Sequence, residues 1–539
     1  MDNTEDLFRR LEQLNEIGVA LSREQDINPL LERILVAAKN LTRADGGTLY
    51  RVVGEGSALR FEIIRTDSLA ISMGGTSGRE ISFPDIPLRD PDGSPNERNV
   101  VAYAVNRDVT VTIEDAYTER GFDFSGTRRF DEGTGYRSRS FLTVPMKNHE
   151  EQIIGVLQLI NATDGQGHVA AFSEADRRLV ESLASQAAIA LTNRQLIGQL
   201  EELFESFINM INLAIDEKSP YTGGHCQRVP ELTMMIAEAA DAVGEGPLAV
   251  FNMTERDRYE LKIAGMLHDC GKVTTPVHVV DKATKLQTLF DRIHLVDTRY
   301  EVLKRDVEIV ALRRQLAAAR GETVADDAEI HRESQEALRA LDAEREFLRH
   351  SNIGGEAMNP QDQQRVRDIG TGHRWRNPDG VLADFLSTDE IENLSIRAGT
   401  LTAAERETIN YHIVATIKML ERLPWPKHLV NVPEYAGGHH ERMDGKGYPK
   451  GLSREQMSLQ ARMMGIADIF EALTASDRPY KKGMKLSQAL SILGNFRRGG
   501  HIDPDIFEVF VRSKVYLRYA ERFLDEAQID EVDEEAVLA

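Results

Sequence analysis

The segment HHERMDGKGYP at residues 439–449 decides the fold and the chemistry predicted for the second half of this chain. His439 and His440 are adjacent, and imidazole is the side chain that most often binds metal ions in proteins. Gly445 and Gly447 allow tight backbone conformations with positive φ just after the two histidines. A histidine pair alone is common on protein surfaces. It predicts a metal site when other segments supply further ligands.

A second histidine stands beside an aspartate at the end of a helix predicted over residues 259–267. That helix runs into HDCGK at residues 268–272, which places an imidazole and a carboxylate at one point. Gly271 leaves room beside them, and Lys272 can reach a phosphate group. The dipeptide His-Asp is frequent by chance, but its position between an apolar helix and Gly-Lys makes it specific.

Three further residues complete a candidate metal site. His225 begins a predicted helix, and His412 lies in a helix that Thr402 and Glu405 cap together. Asp468 lies in an apolar helix predicted over residues 461–475, where a carboxylate needs a partner or a metal ion. Each residue has a separate explanation as a surface or capping residue, but their joint occurrence favours one site. The candidate ligands are His225, His268, Asp269, His412, His439, His440 and Asp468.

Mixed histidine and aspartate ligands suit a pair of first-row divalent metal ions, which an aspartate can bridge. Two such ions, about 3.5–4 Å apart, can activate water and hold the phosphoryl oxygens of a phosphodiester. No Ser-His-Asp or cysteine-nucleophile arrangement has equal support in this sequence.

These segments resemble the HD-GYP family, the subgroup of HD-domain phosphohydrolases that hydrolyse cyclic di-GMP. The resemblance covers about residues 205–515 outside an insertion. It implies an all-α domain, two metal ions (most often iron or manganese) and cleavage of cyclic di-GMP to pGpG, GMP or both. The matching segments are HCQRV at 225–229, HDCGK at 268–272, HHERMDGKGYP at 439–449, ADIFEALT at 467–474 and DRPYK at 477–481.

The same resemblance implies roles for individual residues. Asp269 corresponds to the bridging ligand, and the catalytic residues are expected to be His268, Asp269 and Lys272. The residues expected to bind substrate are Lys272, Tyr448, Arg478 and Lys481. Family members with three metal ions carry Glu four residues before the first histidine, where this chain has Tyr221, so two ions are expected. Thr416 replaces the usual glycine four residues after His412, with no expected effect on ligation.

The first part of the chain predicts an α+β domain with an antiparallel sheet, because strands follow two helices and precede a third. The helices are expected at residues 6–23, 30–41 and 173–191, and Gly46-Gly47 is expected to end the second. The strands are expected at residues 48–53, 59–65, 109–113, 140–145 and 153–160.

This pattern resembles the GAF family of sensory domains over about residues 5–195. The matching segments are DGGTLY at 45–50, IGVLQLIN at 154–161 and FSEAD at 172–176. Asn161, Phe172 and Asp176 are similar to part of a motif of cyclic-nucleotide-binding GAF domains, but Ala162 and Arg177 replace its Lys and Glu. In the alternative interpretation, Phe172 lies in the core and Asp176 faces solvent. The resemblance implies a small-molecule GAF ligand of open identity.

A helical pattern continues over residues 176–217 and predicts a parallel dimeric coiled coil, so a homodimer is expected. Residues 281–400 are predicted to form a mostly helical insertion, with a break at 321–323 and a loop at 377–380. The domains expected are GAF at 1–195, the connecting helix at 176–217, HD-GYP at 218–524 and a solvated acidic tail at 525–539.

Composition excludes some classes of function. Asp and Glu number 87 against 65 Lys and Arg, for a formal net charge of −22, which argues against binding DNA or RNA. Cys226 and Cys270 form no disulfide framework, as expected in a reducing cytoplasm. The sequence shows no apolar run of membrane-spanning length and no leader, so a soluble cytoplasmic protein without a membrane partner is expected.

The fold class predicted is therefore multidomain: an α+β GAF domain joined by a long helix to an all-α HD-domain phosphohydrolase. The leading hypothesis is a metal-dependent cyclic di-GMP phosphodiesterase regulated by its GAF domain in bacterial second-messenger signalling. One alternative is a non-catalytic cyclic di-GMP receptor that acts through protein partners at the Gly-Tyr-Pro loop. Another is a phosphodiesterase for a different cyclic dinucleotide, such as cyclic GMP-AMP. Retention of all seven ligands favours catalysis.

Overall fold

The computed structural model describes residues 2–24, 26–54, 56–164, 166–218, 224–324, 326–355, 357–476 and 483–539. The chain divides into two compact units, Met1–Phe204 and Glu205–Ala539. Within the described residues, no helix combines the length and the apolar character needed to cross a bilayer.

The first unit is an α+β domain built on one antiparallel sheet, as the sequence predicts. Its helices are α1 Asp2–Arg23, α2 Ile27–Thr42, α3 Val100–Arg107, α4 Ser125–Thr134 and the first part of α5 Glu174–Lys218. Its strands are β1 Ala44–Val53, β2 Ala58–Thr66, β3 Ile71–Gly74, β4 Ile86–Pro87, β5 Val111–Ile113, β6 Phe141–Lys147, β7 Ile153–Thr163 and β8 Val169–Ala170. The main strand order is β3-β2-β1-β7-β6-β5, and every pairing is antiparallel.

Helix α2 ends within one residue of the expected position, but the glycine pair does not end it. It stops at Thr42, and Arg43 closes it with a left-handed φ of 53°. Gly46 and Gly47 lie inside β1, so the expectation that they break the helix is wrong. A Cβ at Gly47 would lie 2.8 Å from Leu35 Cδ1, so the glycine allows α2 to pack closely on the sheet.

The residues similar to the cyclic-nucleotide-binding motif stabilise the fold of this unit. The Asn161 Oδ1 atom accepts hydrogen bonds from the backbone N–H groups of Arg139 and Ser140 at 2.7 and 3.2 Å. Phe172 is buried in the core, as the alternative interpretation expected. The expectation that Asp176 faces solvent is wrong: it is 9% exposed, and its carboxylate pairs with Arg10 at 2.9 Å.

The second unit is almost entirely helical. Its helices are α6 His225–Asp241, α7 Glu255–Leu267, α8 Val277–Val280, α9 Ile293–Ala319, α10 Asp327–Ile353, α11 Pro360–Gly372, α12 Thr388–Leu394, α13 Ala403–Leu420, α14 Val432–Gly437, α15 Leu459–Thr474, α16 Leu486–Arg498, α17 Pro504–Arg512, α18 Val515–Phe523 and α19 Glu534–Leu538. A short hairpin pairs β9 Arg374–Arg376 with β10 Leu382–Asp384. Thr402 and Glu405 form the predicted capping box at the start of α13.

Helices α9 and α10 form a hairpin whose two ends meet at its base. The backbone N–H of Lys285 donates to the Asn352 carbonyl at 2.9 Å. The buried Lys285 ammonium donates to the carbonyls of Leu394 and Ile396 at 3.1 and 2.7 Å. The nearby ammonium of Lys282 binds the Glu405 carboxylate at 2.7 and 2.8 Å. The base of this segment is thus joined to the helix that carries His412.

The acidic end of the chain is packed rather than solvated. The side-chain amide of Gln528 donates to the carbonyls of Thr474 and Met484 at 2.8 and 2.9 Å. Asp530 accepts hydrogen bonds from the backbone and hydroxyl of Ser487, and Val537 is 8% exposed. The expectation of a solvated tail is therefore wrong, because residues between the acids find buried partners.

Asp503 ties α17 to α15 and supplies a pH-dependent contribution to stability. Its carboxylate accepts hydrogen bonds from Arg454 and Arg462 at 2.8 and 2.6 Å, and its side chain is fully buried. Burial alone would raise the pKa of Asp503, but the hydrogen bonds from Arg454 and Arg462 lower it below its ordinary value. The carboxylate therefore stabilises the fold above its unfolded pKa, and this stabilisation is lost as the pH falls through the lowered pKa.

We expect Asp503→Asn to lower the free energy of unfolding by about 3 kcal/mol at neutral pH, because a fully buried carboxylate that is paired with two arginines loses its charge. The difference from wild type should shrink below about pH 4, near the ordinary pKa of aspartate. Urea unfolding followed by tryptophan fluorescence measures this, since Trp375 and Trp425 both lie in the second unit. Glu508→Gln removes an exposed carboxylate from α17 and should cost less than about 1 kcal/mol. Equal losses of unfolding free energy in Asp503→Asn and Glu508→Gln would contradict the stabilising role of the Asp503 carboxylate.

Candidate metal centre

The seven predicted ligands come from five places in the second unit, most of them at helix ends. His225 is the first residue of α6, and His268 with Asp269 directly follows α7. His412 lies in α13, the pair His439-His440 follows α14, and Asp468 lies in α15. Side chains at helix ends converge without breaking the packing of the helical core.

Asp269 lies at the centre of this cluster and is 2% exposed. Its Oδ2 atom lies 3.1 Å from His225 Nε2 and 3.2 Å from His268 Nε2. Its Oδ1 atom lies 3.2 Å from His412 Nε2. Asp468 also reaches the cluster, because its Oδ1 atom lies 3.4 Å from His225 Nε2. The two oxygens of Asp269 therefore face different groups of imidazoles.

Three imidazoles are oriented by the same backbone contact. His268 and His439 each place Nδ1 2.6 Å from the carbonyl oxygen three residues earlier, and His412 contacts the Ile409 carbonyl in the same way. A carbonyl only accepts hydrogen bonds, so Nδ1 carries the proton and Nε2 carries the lone pair. Each ring therefore presents a ligand atom to the centre.

The buried atoms of the centre lack hydrogen-bond partners in the way that metal ligands do. Among the described residues, the buried Nε2 atoms of His268, His412 and His439 and the Oδ1 atom of Asp269 have no hydrogen-bond partner. Lone pairs on nitrogen thus face carboxylate oxygens, an arrangement that a cation between the two acceptors would satisfy. The residues present therefore fit divalent metal ions.

The protonation states of the centre also suit metal binding. Burial lowers the pKa of His440 to about 4 and places that of His439 well below its ordinary value. Burial alone would raise the pKa of Asp269, but the charge of Lys272 holds it well below the usual range. At neutral pH these groups are neutral imidazoles and an ionised carboxylate, the forms that bind metal ions.

The ligand atoms separate into two groups. His225, His268 and Asp269 form one, and their ligand atoms lie within 4.8 Å of one another. His412, His439 and His440 form the other, with the same maximum separation. We call these the aspartate subsite and the histidine subsite. Two groups that share the carboxylate of Asp269 are compatible with the expected pair of ions.

Gly271 brings α13 close enough for His412 to reach Asp269. A Cβ at this position would lie 2.0 Å from the His412 carbonyl oxygen and 2.6 Å from the Thr416 backbone nitrogen. Thr416 also accepts a hydrogen bond from the Gly271 N–H at 2.9 Å, a contact that the sequence did not indicate. The glycine is needed for close approach of the two backbones.

We expect Gly271→Ala to displace α13, because the added Cβ would collide with the backbone of that helix. The metal content should fall toward one ion per chain, because His412 belongs to the histidine subsite. Elemental analysis of the purified protein measures this effect. Gly244→Ala is the control, since a Cβ there meets no atom within 4 Å. Wild-type metal content in Gly271→Ala would refute this account.

The Gly-Tyr-Pro loop folds back over His440. Buried Glu441 accepts hydrogen bonds from the backbone N–H groups of Lys450 and Leu452 at 2.7 and 2.9 Å. The ring of Tyr448 stacks on His440 with a centroid distance of 4.9 Å. Gly445 has the predicted positive φ of 73°. The prediction fails for Gly447, which instead allows close approach: a Cβ there would lie 2.4 Å from the Arg442 backbone nitrogen.

The structure describes some of the remaining predicted residues and not others. Lys272 lies in the centre, with its ammonium 2.5 Å from Asp269 Oδ2. Three other predicted residues lie outside the described part of the chain. Arg478 and Lys481 are expected to bind substrate, and Tyr221 is the basis for expecting two ions. Glu471 was missed, although it lies one turn after Asp468 on α15. The argument that a buried acid needs a partner applies equally to both.

Comparison with family models identifies domains in both units. Residues 26–191 match the model of the GAF domain. Residues 222–362 match one HD-domain model, and residues 388–506 match a second. The chain thus combines a GAF domain, a long helix and a helical HD domain, which confirms the predicted fold class.

Curated relatives match in short segments. A cyclic di-GMP phosphodiesterase of Pseudomonas aeruginosa is 49% identical over 75 residues, which is 14% of this chain and 17% of the relative. A 3'3'-cGAMP-specific phosphodiesterase of Vibrio cholerae is 44% identical over 82 residues, 15% of this chain and 19% of the relative. A probable cyclic di-GMP phosphodiesterase of the same species is 35% identical over 141 residues, 25% of this chain and 32% of the relative. The matches thus span a third or less of these relatives.

Proposed function

We propose that the protein is a metal-dependent phosphodiesterase that hydrolyses cyclic di-GMP to pGpG, GMP or both, under control of its GAF domain. The observation that supports this most is the placement of Asp269 beside His268 and His412, whose buried Nε2 atoms have no hydrogen-bond partner among the described residues. The names of the similar phosphodiesterases agree with this chemistry. The two buried free cysteines, Cys226 and Cys270, support a cytoplasmic location.

The residues of the centre suit hydrolysis of a phosphodiester. A pair of iron or manganese ions would supply Lewis-acid activation of water and of the phosphoryl oxygens. His225, His268, Asp269, His412, His439, His440 and Asp468 would hold the pair. Burial opposes the charge of Lys272, but Asp269 raises the pKa of the Lys272 ammonium, which stays protonated and can stabilise charge on the phosphate. Tyr448 offers an aromatic face beside His440 to a nucleobase or ribose.

The test is turnover of cyclic di-GMP by anaerobically purified protein, with metal content measured on the same sample. We expect hydrolysis to rise with metal content up to about two ions per chain. A parallel assay with 3'3'-cGAMP separates the two substrates named among the relatives. Fully loaded protein that binds cyclic di-GMP but hydrolyses neither substrate would contradict the enzyme and support a receptor acting through the Gly-Tyr-Pro loop.

We further propose that α5 forms a parallel coiled coil with a second copy of the chain. Large apolar side chains remain about half exposed along this helix at alternating spacings of four and three residues. Such spacing is that of the a and d positions of a heptad repeat. The residues concerned are Leu196, Leu200, Leu203, Phe207 and Met210.

A single substitution on this face tests the dimer. We expect Leu200→Glu to shift the protein from dimer to monomer in light scattering, because it places a charge in the apolar seam. Gln199→Glu adds the same charge at an exposed neighbouring position and should leave the dimer intact. If Leu200→Glu and Gln199→Glu had the same molecular mass in solution, α5 would not be the dimer interface.

A further inference from the structure

His225 differs from three of the other imidazoles in how its ring is held. His268, His412 and His439 donate Nδ1–H to the carbonyl three residues earlier. His225 is the first residue of α6, and its ring is held from another helix. Its Nδ1 instead lies 2.5 Å from Glu471 Oε2, on α15. The orientation of this ligand thus depends on a tertiary contact.

Glu471 is itself fixed from both sides. Its side chain is 1% exposed, and its other oxygen, Oε1, accepts hydrogen bonds from the Arg228 guanidinium at 2.6 and 2.8 Å. Arg228 lies one turn after His225 on α6. The carboxylate therefore joins α6 to α15 with one oxygen on the ligand and the other on the arginine.

The same contact sets the position of a second ligand. Asp468 lies one turn before Glu471 on α15, and its Oδ1 atom lies 3.4 Å from His225 Nε2. A displacement of Glu471 would therefore move ligands contributed by two helices. In the histidine subsite, His412 and His439 are oriented instead by the backbone carbonyls of Ile409 and Ala436.

We infer that Glu471, held by Arg228, is the positioning residue of the aspartate subsite and makes His225 a stronger metal ligand than its carbonyl-bound counterparts. A carboxylate on Nδ1–H fixes the tautomer and raises the basicity of the opposite nitrogen, and loss of such a partner typically weakens metal binding 10- to 100-fold. This inference deepens the proposed function and rests on its metal pair.

The test is titration of chelator-stripped full-length protein with Mn²⁺, followed by electron paramagnetic resonance. Wild type should bind two ions and develop an exchange-coupled signal as the second one binds. Glu471→Gln should bind one ion with wild-type affinity and the other about 10- to 100-fold more weakly, so that an isolated Mn²⁺ signal persists at two equivalents. Glu471→Asp keeps the charge but withdraws the oxygens, and it should give an intermediate loss.

Glu260→Gln is the matched control for removing a buried carboxylate. Glu260 is 3% exposed, and it accepts hydrogen bonds from the backbone and side chain of Asn431 at 2.6 and 3.1 Å. We expect this variant to bind both ions as wild type does, and thermal unfolding of the stripped proteins compares the structural costs. Two wild-type affinities in Glu471→Gln, or an equal loss in Glu260→Gln, would overturn the role of Glu471 alone. A wild-type protein that binds no pair of ions would overturn both this role and the proposed function.

Discussion

Replacing Asp269 with asparagine is expected to lower turnover of cyclic di-GMP by about 10⁴-fold, the scale seen when a central catalytic group is removed. The substitution keeps the shape of the side chain but removes the charge that faces the Nε2 atoms of His225, His268 and His412. Both subsites lose a ligand at once, so the metal content should fall with the activity. Single-turnover assays and elemental analysis on the same sample measure the two effects.

Asp241→Asn provides the comparison, because Asp241 accepts hydrogen bonds from Met253 and Arg258 and lies outside the centre. It should retain wild-type metal content and turnover within about 3-fold, as expected for an interaction remote from the reaction. Binding of cyclic di-GMP by Asp269→Asn would show that the loss lies in chemistry. If Asp269→Asn hydrolysed the substrate at the wild-type rate, Asp269 would have no catalytic role.

Replacing Lys272 with methionine is expected to lower kcat by about 10²- to 10³-fold, the cost of removing one group that stabilises transition-state charge. Methionine fills a similar volume but cannot donate to a phosphate oxygen. Because the ammonium lies 2.5 Å from Asp269 Oδ2 and competes for that oxygen, metal content should stay the same or rise. Loss of kcat with retained metal therefore distinguishes a phosphate-binding role from a structural one.

The control for Lys272 is Lys446→Met in the Gly-Tyr-Pro loop. The Lys446 side chain is 79% exposed and lies 3.9 Å from Asp444 Oδ2. Its removal should change kcat by less than about 3-fold, because exposed ion pairs contribute little. A Lys272→Met protein that lost its metal ions would instead assign this lysine a role in holding the ligands.

The predicted ligands could be found from the sequence because they lie at helix ends and in short motifs. His268 and Asp269 follow the apolar stretch of α7 directly, and His439 with His440 precedes a glycine-rich turn. The partners that orient them could not be found in the same way. His225 and Glu471 are separated by 246 positions, and no local pattern links them.

In the first unit, the sequence predicts the long elements and the short strand β5, but not helices α3 and α4 or strands β3, β4 and β8. Helix α3 has only eight residues, and Asn99 stabilises its start by accepting hydrogen bonds from the N–H groups of Val101 and Ala102. Such a helix is stabilised by capping and by packing on the sheet rather than by intrinsic propensity. The alternative interpretation that Asp176 faces solvent fails because its partner, Arg10, lies 166 positions away, where no local pattern could indicate it.

The closed base of the α9–α10 hairpin makes this part of the chain a suitable place for insertions and deletions. Leu286 and Asn352 are 66 positions apart, yet the Leu286 N–H donates to Asn352 Oδ1 at 2.8 Å. The two ends of this segment lie close together, as the ends of a tight turn do. The entropic cost of closing the segment grows by only about 0.6 kcal/mol per doubling of its length. Evolution can lengthen or shorten the two helices at little cost to the metal centre. An engineer can place a reporter module at the turn after Ala319, in the same way.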